Sequence, residues 1–226
     1  MGKSDRIGRI KRAFDELADE IEFGRLMLST DVAGLIMSAV DTIRSLRNPT
    51  TSGKRYRLIY ADPPWSYRDK KLNRGGCERH YKTASIPEIM GHIESLADPA
   101  GCVLACWHTW PGFFEQTDAL RACGWKFRTK GFTWGKTYEK TGELAWGMGS
   151  WTRANDEPLL LYTRGKDWPR VVDHGILSLR LSPRLKHSEK PAEFREDLER
   201  LFGDVSRVEM YAREVVDGWD QWGNEV

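Results

Sequence analysis

The chain has 226 residues, of which 40% are hydrophobic and 30% charged, and its formal net charge is only +2. This size allows one substantial α/β core, and the lack of any run of about 18 apolar residues argues against a membrane-spanning helix. The N-terminus has no apolar signal-peptide core, and four cysteines do not suggest a disulfide framework in a chain of this length. We therefore expect a protein of the reducing cytoplasm.

Residues 1–50 predict a pair of amphipathic helices. Apolar side chains recur at spacings of three and four from Ile7 to Ile21 and again from Val32 to Ile43. We expect these helices to form a hairpin that is separate from a catalytic domain over residues 54–226. The hairpin carries no net charge, which favours packing or homodimerisation over binding to nucleic acid.

The run Leu58-Ile59-Tyr60-Ala61 reads as a buried strand, and it leads directly into Asp62-Pro63-Pro64-Trp65. The two prolines remove backbone donors and hold the residues before them extended, so the strand ends in a stiff corner. Such a corner would offer a carboxylate, unpaired carbonyl groups and an indole face. These groups suit a planar amino group on an aromatic ring, although an ordinary Pro-Pro turn is the alternative.

Basic residues surround this corner. Residues 54–82 hold nine Lys/Arg and three Asp/Glu, a local balance of +6, so the rest of the chain sums to −4. A phosphate backbone would favour such a segment, whereas the alternative is a solvated charged loop.

From residue 54 onward, strand-like runs alternate with helical patterns, which predicts a mostly parallel sheet. The predicted strands are 58–61, 102–107, 125–136 (as one strand or two), 158–162 and 208–211, and the predicted helices are 85–96, 111–123 and 191–202. If the last of these begins at Pro191, Lys190 lies at the positive end of the helix dipole. That position costs about 0.3–1 kcal/mol unless an anion is close, so a bound anion is expected there, with a solvated lysine as the alternative.

A zinc site could be considered at Cys102, Cys106 and His108, because cysteine and histidine are common zinc ligands. Residues four apart in a strand are separated by about 13 Å, however, and zinc–sulfur bonds are only about 2.3 Å long. We therefore predict core cysteines and no metal.

The Asp62–Trp65 corner resembles the Asp-Pro-Pro-Trp motif of methyltransferases that act on N6 of adenine. It is similar to the family that contains the catalytic subunit of the eukaryotic mRNA adenine methyltransferase. The resemblance covers residues 56–226 and implies a permuted Rossmann-like α/β sheet of seven strands that binds S-adenosylmethionine. The lack of a glycine-rich dinucleotide motif near the N-terminus agrees with that permuted order. By this resemblance the catalytic residues are Asp62, Pro63, Pro64 and Trp65.

Later segments match the same family in the same order. The glycine-rich segment 142–165 resembles its loop over the target base, with an ordinary surface loop as the alternative. Ser188-Glu189-Lys190-Pro191 and the tail from Val208 to Glu225 resemble its cofactor-binding motifs. The resemblance implies that the substrate contacts Tyr67, Trp151, Arg153 and Glu157, and that S-adenosylmethionine contacts Asp62, Lys190, Glu209, Arg213 and Asn224.

The expected activity is methyl transfer to N6 of adenine in nucleic acid, more readily in DNA than in RNA, in a bacterial or phage-infected cell. The target adenine would have to be flipped out or single-stranded, because N6 cannot reach such a corner from a stacked duplex. An RNA adenine methyltransferase, a non-catalytic partner of the same fold and a cytosine-amine methyltransferase are the alternatives.

Overall fold

The computed structural model describes residues 53–65, 84–149, 151–185 and 189–223. Several of the predictions concern residues outside these ranges and stay predictions. They are the hairpin and dimer contact at 1–50, most of the basic segment, Tyr67 and Asn224. The chain divides into two compact units, residues 1–54 with 87–95 and residues 55–86 with 96–226. Helices of a length and apolarity suited to a membrane are absent from the described ranges.

The described chain contains seven strands and three α-helices, and strands and helices alternate as far as β3. In order they are β1 (Leu58–Ala61), α1 (Ile86–Leu96), β2 (Gly101–Trp107), a 3-10 turn (Trp110–Gly112), α2 (Phe113–Ala122), β3 (Lys126–Thr137), β4 (Asp156–Gly165), β5 (Leu179–Pro183), α3 (Glu193–Phe202), β6 (Arg207–Met210) and β7 (Asp220–Trp222).

The seven strands form one sheet in the order β5-β3-β4-β2-β1-β6-β7. β4 runs antiparallel to β2 and β3, and the other neighbouring strands are parallel. The chain continues from β1 to β2 on one side, whereas β6 lies on the other side of β1. Ligands of open α/β sheets bind at the carboxyl ends of strands where the order reverses in this way, and Asp62 directly follows β1 at that edge.

The core beside α3 is built from aromatic side chains. The ring of Phe194 lies 4.9 Å from that of Trp107, edge to face, and also contacts the rings of Phe132 and Trp134. All four side chains are buried. Because Phe194 lies only four residues after Lys190, this packing also fixes where Lys190 enters the structure.

Most of the predicted elements are confirmed, with differences at their ends. The stretch 125–136 is one strand, and Gly124 ends α2 with a positive φ of 82°. The helix expected from Pro111 begins as a 3-10 turn, and the helix expected from Pro191 begins at Glu193. The strands β5 and β7 were not predicted, because both are short edge strands without a buried apolar run.

Cys102 and Cys106 are fully buried in β2, which confirms that they are core residues. Burial raises the pKa of Cys102 to about 12, so its thiol stays protonated at neutral pH. The described residues contain no cluster of three or more metal-ligating side chains.

We predict that Phe194→Ala destabilises the fold by about 3–5 kcal/mol, since it leaves a cavity beneath several rings. Phe114 is the matched control because its side chain is 78% exposed, and Phe114→Ala should change the free energy of unfolding by no more than about 0.5 kcal/mol. Urea denaturation of both variants measures the difference. Similar losses in the two would show that the aromatic core does not hold α3 in place.

Candidate active site

The predicted corner forms at the carboxyl edge of the sheet, but its carbonyl groups are not unpaired. The backbone N–H of Trp65 donates to the Pro63 carbonyl at 2.8 Å, and that of Ala84 donates to the Pro64 carbonyl at 3.2 Å. The prediction of unpaired carbonyls is therefore wrong. Each carbonyl oxygen has a second lone pair, so Pro63 can still accept one further hydrogen bond.

Trp65 lies inside the protein instead of presenting an open indole face at the corner. Its indole N–H donates to the Trp107 carbonyl at 2.9 Å, and its ring packs beside His108. This differs from the expectation of a stacking surface for a substrate ring. Since β2 is fixed on both sides in the sheet, the indole attaches the corner to a rigid strand.

His108 supports Trp65 from the end of β2. Burial lowers the pKa of His108 to about 4, so the imidazole is neutral at pH 7. Its Nδ1 lies 2.9 Å from the Cys106 carbonyl, which can only accept, and its Nε2 lies 3.0 Å from the Tyr162 hydroxyl. Nδ1 therefore carries the proton and Nε2 accepts from Tyr162, which makes His108 a structural residue.

Lys190 is the centre of the charged part of the site. Its Nζ lies 2.6 Å from Asp62 Oδ2 and 3.3 Å from Glu157 Oε2, and it also lies over the Trp107 ring at 5.3 Å. Only 7% of its side chain is exposed, whereas 29% of the Asp62 side chain is. The anion expected beside Lys190 is thus supplied by two carboxylates of the protein.

Burial and charge act in opposite directions on this cluster. Burial raises the pKa of Asp62 above its usual range, and Lys190 only partly offsets that effect. Burial alone would lower the pKa of Lys190, but the two carboxylates outweigh it and raise that pKa. Burial would likewise raise the pKa of Glu157, but Lys190 and Lys136 together lower it. Lys190 therefore stays charged at neutral pH.

Lys136, at the end of β3, holds the other oxygen of Glu157. The distance from Lys136 Nζ to Glu157 Oε1 is 2.5 Å, and the same Nζ lies 5.0 Å from the centre of the Trp134 ring. Lys136 was not predicted as a site residue from the sequence. Its position at the carboxyl end of a predicted strand was the available signal, because such strand ends meet at one edge of the sheet.

A second charged pair lies at the end of β6, the other neighbour of β1. Glu209 is in register with Tyr60, and its Oε2 accepts from Arg195 Nη1 at 2.9 Å. Burial raises the pKa of Glu209, partly offset by Arg195. Arg195, which the sequence analysis also missed, holds Glu214 with its other nitrogen at 2.5 Å. Directly after β6, Tyr211 adopts a left-handed φ of 62°, a conformation that is rare outside glycine and frequent at functional sites.

Of the remaining predicted residues, Arg213 is close enough to Asp62 for its charge to act on that carboxylate. It is half-buried, and its charge acts to lower the pKa of Asp62. Trp151 and Arg153 lie in the connection between β3 and β4. Trp151 is 99% exposed, and the Arg153 guanidinium lies 5.1 Å from the centre of the Trp146 ring. The structure thus brings Glu157, but not Trp151 or Arg153, into the charge cluster of Asp62.

Residues 56–225 match the MT-A70 family. The chain belongs to this family. It is also 27% identical over 196 residues to the Type II methyltransferase M.MunI of a Mycoplasma species, an alignment that covers 79% of this chain and 81% of that relative. Membership confirms the resemblance to N6-adenine methyltransferases, and the seven-stranded sheet is the α/β Rossmann-like fold of such enzymes.

Because Lys190 separates two carboxylates of this MT-A70 protein, we predict that Lys190→Met destabilises it by about 1–3 kcal/mol at pH 7.5. Without the cation, the pKa of Asp62 in the folded state rises further above its unfolded value, and the pKa of Glu157 rises from its lowered position although Lys136 remains. The loss is then complete above the raised pKa values and shrinks as pH falls through them. Urea unfolding at pH 7.5 and pH 5 measures this dependence.

Lys140→Met is the control for this experiment, because Lys140 is an exposed lysine in the connection after β3. It should leave stability nearly unchanged at both pH values. If Lys190→Met lowers the free energy of unfolding by the same amount at pH 7.5 and at pH 5, the carboxylates do not repel one another across the position of Lys190.

Proposed function

We propose that this methyltransferase transfers the methyl group of S-adenosylmethionine to N6 of adenine in DNA. The observation that carries the proposal is the position of Asp62. Its carboxylate follows β1 at the carboxyl edge of the sheet, is held by Lys190 through Oδ2, and keeps 29% of its side chain exposed. A partly exposed and oriented carboxylate is what recognition of an exocyclic amino group requires.

Asp62 would accept a hydrogen bond from one N6–H group. The Pro63 carbonyl would accept a hydrogen bond from the other N6–H group through its second lone pair. In the described residues, the side-chain contacts of Asp62 use Oδ2, so Oδ1 is the oxygen we assign to the amino group. Two acceptors in this arrangement make the nitrogen lone pair less delocalised into the ring. The N6–carbon bond forms as the sulfur–carbon bond breaks, the bonding pair goes to sulfur, and the N6 proton leaves to Asp62 or water. Positioning supplies much of the rate acceleration.

The charges at the same edge suit the methyl donor. S-adenosylmethionine supplies an activated methyl group on a positively charged sulfur, and its amino-acid end carries one charge of each sign. Glu209 would face the positive amino group and Arg213 the carboxylate. Asp62 and Lys190, which the sequence resemblance also places at the donor, hold each other at 2.6 Å and would contribute less to its binding. Asn224, which lies outside the described residues, remains a candidate from the sequence resemblance.

DNA is favoured over RNA because the matched relative M.MunI is named a Type II methyltransferase. The basic segment at 54–82 would contact the phosphate backbone, and Tyr67, Trp151 and Arg153 would contact nucleotides. A DNA substrate also agrees with a cytoplasmic location in a bacterial or phage-infected cell. Transfer of labelled methyl to RNA but not to DNA oligonucleotides of matched sequence would reverse this assignment.

We predict that Asp62→Ala lowers the rate of methyl transfer by about 100- to 1,000-fold, a range typical for removal of one group that binds the reacting atoms. Donor affinity, measured by calorimetry, should change much less. Nucleoside mass spectrometry of DNA from an expression host without adenine methylation should find N6-methyladenine with the wild type and almost none with Asp62→Ala.

The control is Asp118→Ala, because Asp118 is a surface residue of α2 paired only with Arg121 among its described contacts. It should methylate like the wild type. Full turnover by Asp62→Ala would refute the role of Asp62. Donor binding without any methyl transfer by the wild type would instead favour a non-catalytic partner.

We further predict faster methylation of an unpaired or mismatched adenine than of the same adenine in a perfect duplex. Extruding a base costs a few kcal/mol, and less where pairing is already lost. Initial rates on three oligonucleotides that share one mapped target site measure this difference. Equal or slower rates on the mismatched and single-stranded forms would mean that the site does not require an extruded base.

A further inference from the structure

Glu157 lies between two lysines, each bound to a different oxygen. Lys136 Nζ is 2.5 Å from Oε1, and Lys190 Nζ is 3.3 Å from Oε2. With Asp62 these side chains form a row of alternating charge that runs from the end of β3 to the end of β1. Lys136 is the outer end of this row, and its ion pair within the described residues is with Glu157.

Lys190 is shared unequally between its two carboxylates. Its distance to Asp62 is 2.6 Å, which is that of a strong charge-assisted hydrogen bond, whereas the 3.3 Å to Glu157 is longer than such bonds. Two equal carboxylates would compete for the ammonium on equal terms. One difference between them in the structure is that Glu157 has a second lysine at 2.5 Å and therefore less uncompensated charge.

We infer that Lys136 is a positioning residue for methyl transfer: by holding Glu157 it keeps Lys190 on Asp62 Oδ2, which leaves Oδ1 directed to the substrate amino group. This inference rests on the proposed function. In the absence of Lys136, Glu157 would attract Lys190 more strongly and would also place an uncompensated negative charge near Asp62.

A purely structural role makes a different prediction. The two side chains are only 23% and 25% exposed, so removal of Lys136 also costs stability by leaving a partly buried carboxylate less compensated, but a structural role alone would not move a pH profile. The groups that act on Asp62 and Glu157 from the surrounding elements are also few. Among the described residues, Lys190 and Arg213 act on Asp62, and Lys190 and Lys136 act on Glu157. Asp62 in turn acts on Tyr60, Cys106 and Glu209.

The test compares Lys136→Met with Lys136→Arg and with the double variant Lys136→Met/Glu157→Gln. Lys136→Met should lower kcat by about 10- to 100-fold, the scale of a small misplacement of reacting groups, with little change in KM for DNA. The acidic limb of its kcat–pH profile should move to higher pH, because added negative charge raises the pKa of Asp62. Lys136→Arg should return the acidic limb of the profile to its wild-type pH.

The double variant separates this mechanism from other roles. If Lys136 acts through Glu157, Lys136→Met should have almost no further effect in the Glu157→Gln background. Three outcomes would overturn the inference. They are a loss of kcat by the same factor in both backgrounds, an acidic limb of Lys136→Met that does not move, and an effect on KM and salt dependence alone. The last result would make Lys136 a phosphate contact instead.

Two controls keep these outcomes distinct. Lys126→Met removes an exposed lysine at the opposite end of β3 and should leave kcat and the pH profile unchanged. Thermal unfolding checks that each variant is folded, and Lys136→Gln replaces Lys136→Met if the latter is not. A wild-type chain that cannot methylate adenine would refute the proposed function, whereas an active wild type with an unaltered Lys136→Met profile refutes only the role of Lys136.

Discussion

The contact of Lys190 with Asp62 and Glu157 is the interaction on which the site depends. It joins three parts of the chain that are distant in sequence: the end of β1, the start of β4 and the segment before α3. A lysine that is 93% buried requires compensation, because a buried unpaired charge costs several kcal/mol. The same ion pair orients Asp62. Lys190 therefore both stabilises the carboxyl edge of the sheet and positions the carboxylate that binds the substrate amino group.

Aromatic packing makes that arrangement rigid. Trp107 accepts the Trp65 indole hydrogen bond through its carbonyl, lies under Lys190 with its ring, and packs edge to face on Phe194. One residue of β2 therefore contacts the corner, the cation and α3. Because protein cores are close-packed, displacement of any of these three parts disturbs the other two, which preserves the geometry of a site that depends on positioning.

The sequence predicted what local patterns can specify. The buried run before Asp62 and the prolines after it placed the carboxylate, and the last helix placed Lys190 near an anion. Sequence patterns could not specify partners, since Lys136 meets Glu157 through sheet order and register, and Arg195 meets Glu209 and Glu214 through the position of α3 beside the end of β6. The corner also shows this limit. The sequence is compatible with a Trp65 side chain in solvent or in the core, and the contacts with the Trp107 carbonyl and His108 place it in the core. Strands β5 and β7 depend on neighbours for their pairing, not on an apolar run.

The most direct test is a crystal structure of the protein with S-adenosylhomocysteine and a single-stranded DNA that contains its target adenine. We predict that adenine N6 lies at a hydrogen-bonding distance of about 2.9 Å from Asp62 Oδ1, with Lys190 still on Oδ2. The sulfur should lie opposite, in line with N6. An adenine bound elsewhere on the sheet, or an Asp62 turned away from N6 while Lys190 binds only Glu157, would contradict this prediction.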